Sequence, residues 1–134
     1  MRAVRGLQTQ RLVDELGDQA VAAYGMATEL LSIVNAARIK EPFLRERALG
    51  AARRACTASG EAATLSTRAE QAPLLDLARG AACEVAVAFD LAAATAGCSK
   101  RAAADGRRLA ASLVRLLSAL LSPGLRIEPA GENR

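Results

Sequence analysis

The chain predicts an all-α protein, an antiparallel up-and-down four-helix bundle, on three observations: an alanine- and leucine-rich composition, four segments with helical apolar spacing, and helix-stop chemistry between them. Hydrophobic residues make up 51% of the 134 positions, yet aromatics account for only 2%, namely Tyr24, Phe43 and Phe89. Ala and Leu are the strongest apolar helix formers, while the β-branched and aromatic residues that strands favour are scarce. This length suits one domain with one core.

The first helix is expected along Val13, Leu16, Ala20, Ala23, Ala27, Leu30 and Val34. These positions step by three and four, the spacing of helices packed nearly parallel. Arg38-Ile-Lys-Glu-Pro42 ends it, because the residue before proline avoids the α region and proline suits a new first turn. The second seam is Leu44, Ala48, Ala51, Ala55, Ala58, Ala62 and Leu65. Thr67-Arg-Ala-Glu70 fits a capping box that opens the third helix, with Pro73 as a competing start. The third seam is Leu74, Ala78, Ala81, Val85, Ala88 and Ala92. Gly97 is expected to supply a left-handed C-terminal cap and Ser99 to cap the fourth helix, whose seam is Leu109, Leu113, Leu116 and Leu120. Ser-Pro-Gly after Leu121, with Pro129, stops helix formation, so residues 1–121 are expected to form the bundle and 122–134 a loose tail. Connections this short make neighbouring helices antiparallel.

Histidine is absent from the chain. That removes Ser-His and Cys-His nucleophiles, His-ligated zinc and haem, and the Glu-x-x-His di-iron sites of other bundles. No glycine-rich phosphate loop is present either, so the expectation is a protein that is not an enzyme and holds no cofactor or metal. Cys56, Cys83 and Cys98 lie in or beside alanine-rich stretches without metal-ligand spacing, and read as buried free thiols of a reducing cytoplasm. No apolar run approaches the roughly 20 residues of a membrane span, and no apolar stretch follows the charged N-terminus as in a signal peptide. Glu61 and Glu84 fall mid-helix in apolar surroundings. Structural ion pairs with Arg53, Arg54 or Arg79 explain them better than a metal or an acid–base pair.

Two features point beyond a monomer. A second apolar line runs along helix three (Leu75, Ala82, Ala86, Phe89, Ala93) and helix four (Ala110, Val114, Leu117, Leu121). Gly25, Gly50, Gly80 and Gly106 also sit inside helices, where each costs about 1 kcal/mol relative to Ala unless a close contact offsets it.

Net charge is +4, with seven basic and three acidic residues from position 99 onward. Arg101, Arg108 and Arg115 are seven apart and share one helix face at about 10.5 Å intervals, with Lys100 and Arg107 in a row beside them. Arg47 and Arg54 repeat the spacing on helix two. Such ladders suit bidentate contact with phosphates. The alternative is an ordinary solvated face, paired in part with the acidic third helix. Aromatic stacking platforms are missing, so any nucleic-acid contact is directed at the backbone.

Leu77-Ala-Arg79-Gly80-Ala-Ala-Cys-Glu84-Val, continuing to Leu91-Ala and Gly97, resembles the third helix of the four-helix-bundle proteins first described from 23S rRNA intervening sequences. Arg53-Arg54-Ala55 resembles that family's RRA in helix two, and Pro42 followed by leucine and basic residues resembles its first junction. Two departures stand out. Cys56-Thr-Ala-Ser-Gly60-Glu-Ala-Ala-Thr replaces a segment like SxPxNIAEG, and Ala81 replaces the usual helix-three serine. The resemblance implies a barrel-like homopentamer. Through the accessory variability determinant proteins of diversity-generating retroelements, it also implies a bacterial, non-enzymatic adaptor that binds RNA or DNA and a reverse transcriptase or other protein. The competing function is a protein-binding or structural bundle with no nucleic-acid role.

Overall fold

The computed structural model describes residues 2–122, with side chains from Gln19 onward. The described residues form four helices and no strands: α1 (Arg2–Ala37), α2 (Pro42–Ala62), α3 (Arg68–Ala94) and α4 (Lys100–Leu121). The main packing pairs are α1–α2, α2–α3, α3–α4 and α1–α4, so α1 and α3 sit on opposite sides of the bundle, as do α2 and α4. The expected tail lies outside the described residues, apart from Ser122.

The inward spacing decides the core. Ala20, Ala23, Ala27, Leu30 and Val34 of α1 are buried, as are Ala48 to Ala62 along the α2 seam and Ala78 to Ala92 along that of α3. In α4, Leu113 and Leu120 are buried and Leu109 and Leu116 are half-buried. Val13 and Leu16 fall among the undescribed side chains. Leu65 lies beyond α2, which stops at Ala62, and is half-buried in the connection. The second apolar lines point largely inward, with Ala86, Val114 and Leu121 half-buried. Leu75, Ala82, Phe89, Ala110 and Leu117 are buried, because α3 lies against α2 and α4 together and needs a wide apolar face; Ala93 alone is exposed.

Caps set the helix boundaries. Glu41, just before Pro42, caps α2: its carboxylate accepts from the Phe43 and Leu44 N–H groups at 3.1 and 2.8 Å. Thr67 and Glu70 form the expected capping box, and α3 begins there, so Pro73 falls inside the helix. Ser99 Oγ accepts from the Ala102 N–H at 3.0 Å and opens α4 as expected.

The end of α3 differs from expectation. The left-handed residue is Ala96, at φ 56°, and Gly97 has no positive φ. The Gly97 N–H reaches Ala92 O at 2.7 Å and the Ala96 N–H reaches Ala93 O at 3.3 Å, the paired bonds of a Schellman cap. Gly97 O then accepts from the Lys40 N–H at 2.8 Å, tying the α3–α4 junction to the α1–α2 junction. A left-handed alanine costs about 1–2 kcal/mol. Ala96→Gly is therefore expected to raise stability by about 1 kcal/mol, read as a higher denaturant midpoint at unchanged m-value. An unchanged midpoint would show that the strain is relieved elsewhere.

Among the described glycines inside helices, Gly106 is the most crowded: a Cβ there would lie 2.6 Å from Phe89 Cζ and closer still to Cε2 and Cδ2. Gly25 and Gly80 face open space. The expectation that no segment resembles a membrane span needs correction. Gln19–Ala37 is 19 residues long with mean hydropathy 1.3, apolar enough to cross a membrane by length and composition alone. Its seam is buried in the bundle, and its outward side carries a single charge, Glu29.

Candidate nucleic-acid interface

The α4 helix presents its basic residues because its apolar seam faces the other way. Its exposed positions include Arg101, Ala104, Arg108, Ala111, Arg115 and Ala119, so arginine and alanine alternate along the outward face. The methyl groups leave each guanidinium unobstructed. From Arg101 to Arg115 the stripe runs about 21 Å at 1.5 Å per residue.

The charge partners on this face are few and weak. Asp105 sits between two of the arginines, 3.9 Å from Arg101 Nε and 3.1 Å from Arg108 Nη1. With the Arg101 and Arg108 side chains 90% and 71% exposed, solvent screens both pairs and leaves them exchangeable. Arg115 Nη2 donates to Ser112 Oγ at 3.1 Å and has no acidic partner among the described residues. Lys100 is exposed and also lacks one. Arg107 leans the other way, toward α3, and pairs with Asp90 at 2.5 Å.

The two ladders expected from sequence are not brought together. Arg47 and Arg54 lie on α2, across the bundle from α4, and both turn to Glu84 of α3. Arg54 bonds it directly, and Arg47 approaches its other oxygen at 3.8 Å. Glu84 is thus an ion-pair partner, as expected, though Arg79 instead donates to Asp76 and Ser118. Glu61 is exposed, near the far end of α2, with no ion pair among the described residues. The two glutamates share no site, and no cluster of three candidate metal ligands occurs among the described residues.

A groove of about 890 Å³ lies beside Glu84, between the first half of α2 and the second half of α3. Phe43, Leu44, Val87, Ala88 and Leu91 wall it, with Lys40 and Arg47 at its rim. Phe43 is 67% exposed, Val87 55% and Leu91 51%, and the Arg47 guanidinium lies 5.8 Å above the Phe43 ring. Sequence reasoning missed it because the inward seam of an alanine-rich helix says nothing about which outward positions form a wall. The signal available was the run of uncharged outward positions Gly80, Cys83, Val87 and Leu91.

Cys83 lines this groove and is exposed, which corrects the expectation that all three thiols are buried. Its helical position places it among the outward residues of α3. Cys56 and Cys98 are half-buried, and desolvation raises both thiols above the usual range. Below their ordinary pKa near 9.0 this leaves stability unchanged. As pH rises past it, the unfolded chain releases protons that the folded chain retains, and stability falls. At pH 8 one thiol per native chain is expected to react quickly with iodoacetamide, located at Cys83 by peptide mass spectrometry. Comparable rates at all three would contradict the burial.

Comparison with protein-family models, with curated proteins and with solved structures returned no match for this chain.

Proposed function

We propose that this chain is the subunit of a homo-oligomeric, non-enzymatic adaptor, an antiparallel up-and-down bundle that contacts the phosphate backbone of RNA or DNA through α4. The observation that carries the proposal is the outward face Arg101–Ala104–Arg108–Ala111–Arg115–Ala119, a stripe of exposed arginines spaced by alanines, with Asp105 alone as acidic neighbour among the described residues. An arginine engaged in a buried network could not serve this purpose. These are solvated, and their single acidic neighbour is shared between two of them. Lys100 extends the same positive field at the start of the helix, whereas Arg107, Arg47 and Arg54 are held by α3 carboxylates and contribute less. The antiparallel arrangement is supported by connections of four or five residues and by the Lys40–Gly97 link between two junctions.

The test is the salt dependence of binding. Each neutralised phosphate releases counterions, giving a slope of log K on log salt of about −0.9 per contact on duplex DNA. Arg101, Arg108, Arg115 and Lys100 together predict a slope of about −3 to −4 for each bound subunit. A flat dependence, or no binding at low salt, would leave the charge as solvation. The apolar groove would then favour the second reading, a protein-binding module. A reverse transcriptase or another nucleic-acid enzyme is the partner class that an RNA- or DNA-binding adaptor would serve.

A further inference from the structure

The groove between α2 and α3 has an apolar trough and a charged shoulder. Three of the six large hydrophobic residues exposed among the described residues, Phe43, Val87 and Leu91, gather in the trough, so its apolar surface is a patch and not a scatter of single side chains. At about 890 Å³ it has the size of a small-molecule site. Gly80 also lines it, with nothing within 4 Å of a would-be Cβ. Glycine is unfavourable inside a helix, and no neighbour in the chain requires it at this position.

The shoulder is a smaller cavity of about 300 Å³, lined by Glu46, Arg47, Gly50, Arg54 and Glu84. It shares Arg47 and Glu84 with the trough. Arg54 and Glu84 are bonded to each other. Arg47 only approaches Glu84 at 3.8 Å, beyond hydrogen-bond distance, and rests 5.8 Å from the centre of the Phe43 ring. Glu46 is exposed and has no ion pair among the described residues. One unbonded guanidinium and one unbonded carboxylate therefore stand together beside the trough. The opposite end, by Gly97, differs: Lys40 is exposed there, but the neighbouring Glu41 carboxylate is already occupied by the Phe43 and Leu44 N–H groups. Across both cavities Lys40, Arg47 and Arg54 stand against Glu41, Glu46 and Glu84, so the charges balance.

We propose that this groove binds a single-chain amphiphile with a zwitterionic head. The chain lies along Phe43, Leu44, Val87 and Leu91, a phosphate meets Arg47, and a primary ammonium meets Glu46. Arginine suits the phosphate, and both head contacts are charge-assisted hydrogen bonds. Charge balance selects this class. A wholly apolar ligand would strip water from Arg47 and Glu46 and give nothing back. An anionic head would meet Glu46 and Glu84, and a cationic one Arg47 and Arg54. The site goes beyond the adaptor role proposed above and is independent of it, because no residue of the α4 stripe lines either cavity.

Cys83, exposed and in the groove lining, reports occupancy. Decylphosphoethanolamine, kept below its micelle concentration and at about ten times its Kd, is expected to slow iodoacetamide alkylation of Cys83 about tenfold, because only the free site reacts. Cys56 and Cys98, which do not line the groove, should react as before. In titration calorimetry, decyl phosphate and decylamine should each bind about tenfold more weakly, having lost one charge-assisted hydrogen bond. Phosphoethanolamine without the chain should not bind detectably. Glu46→Gln is expected to weaken the zwitterion about tenfold without weakening decyl phosphate, a split that misfolding would not produce. Gly80→Leu places a better helix former in open space, so it should fold normally and lose binding. A single-charge decyl compound that binds as tightly as the zwitterion would overturn the recognition of the head. Binding that leaves Cys83 unprotected, or that survives in Gly80→Leu, would place the amphiphile elsewhere. Absence of binding overturns the site outright, as does a Cys83 already unreactive in the free protein, which would show the groove closed by another protein surface.

Discussion

Arg101→Glu combined with Arg108→Glu is expected to lower affinity for RNA and DNA about hundredfold near 0.1 M salt, with no loss of helix content. The magnitude follows from counterion release. At that salt each backbone contact contributes about tenfold, so losing two costs two decades, or about 2.8 kcal/mol, and reverses two local charges besides. The slope of log K on log salt should become shallower by about 1.8 at the same time, a change that misfolding would not produce in a protein with native circular dichroism. Folding should survive. Position 101 lies in the first turn of α4, where a carboxylate meets the positive end of the helix dipole, and position 108 is mostly solvated. The cost is the two weak pairs that Arg101 and Arg108 make with Asp105, each exchanged for a like-charge neighbour worth a few tenths of a kcal/mol. Unchanged affinity at equal slope would place any nucleic-acid contact elsewhere on the molecule. Arg107→Glu is the useful contrast. It breaks the Asp90 pair that joins α4 to α3, so its effect should fall more on stability than on binding.

The inward half of this molecule was legible in the sequence and the outward half was not, for a physical reason. Helical spacing reports which positions are shielded from water, and every described inward seam position was buried or half-buried. The capping residues Thr67 and Ser99 were legible because their side-chain oxygens satisfy N–H groups within three residues, a local interaction. Ala96 was not. Glycine is the usual left-handed residue, but the hydrogen bonds from residues 96 and 97 to Ala93 and Ala92 place the reversal one step earlier. The candidate interface divides the same way. The seven-residue spacing correctly put Arg101, Arg108 and Arg115 on one exposed face, a property of one helix. Whether Arg47 and Arg54 would join them depended on which helices are neighbours, and those side chains turned instead to Glu84 on α3. The groove needed still more, since its walls come from two helices.

Gly106→Ala is expected to destabilise the protein by about 2–3 kcal/mol, although alanine is the better helix former by about 1 kcal/mol. Gly106 is buried where α4 meets α3, and the Phe89 ring occupies the space a Cβ would take. Phe89 is the largest fully buried side chain and has no solvent to swing into. Relief must therefore come from an off-rotamer ring or from separation of α3 and α4, and close packing makes either expensive. The glycine and the ring are a complementary pair, so their energies should couple. Phe89→Leu alone leaves a void and is expected to cost about 1–2 kcal/mol. In the double variant the alanine methyl group partly fills that void, and the combined loss should fall short of the sum by at least 1 kcal/mol. Denaturant midpoints of the four proteins measure the coupling directly. Additive losses would mean that α4 moves away from α3 as a unit, with the ring staying in place.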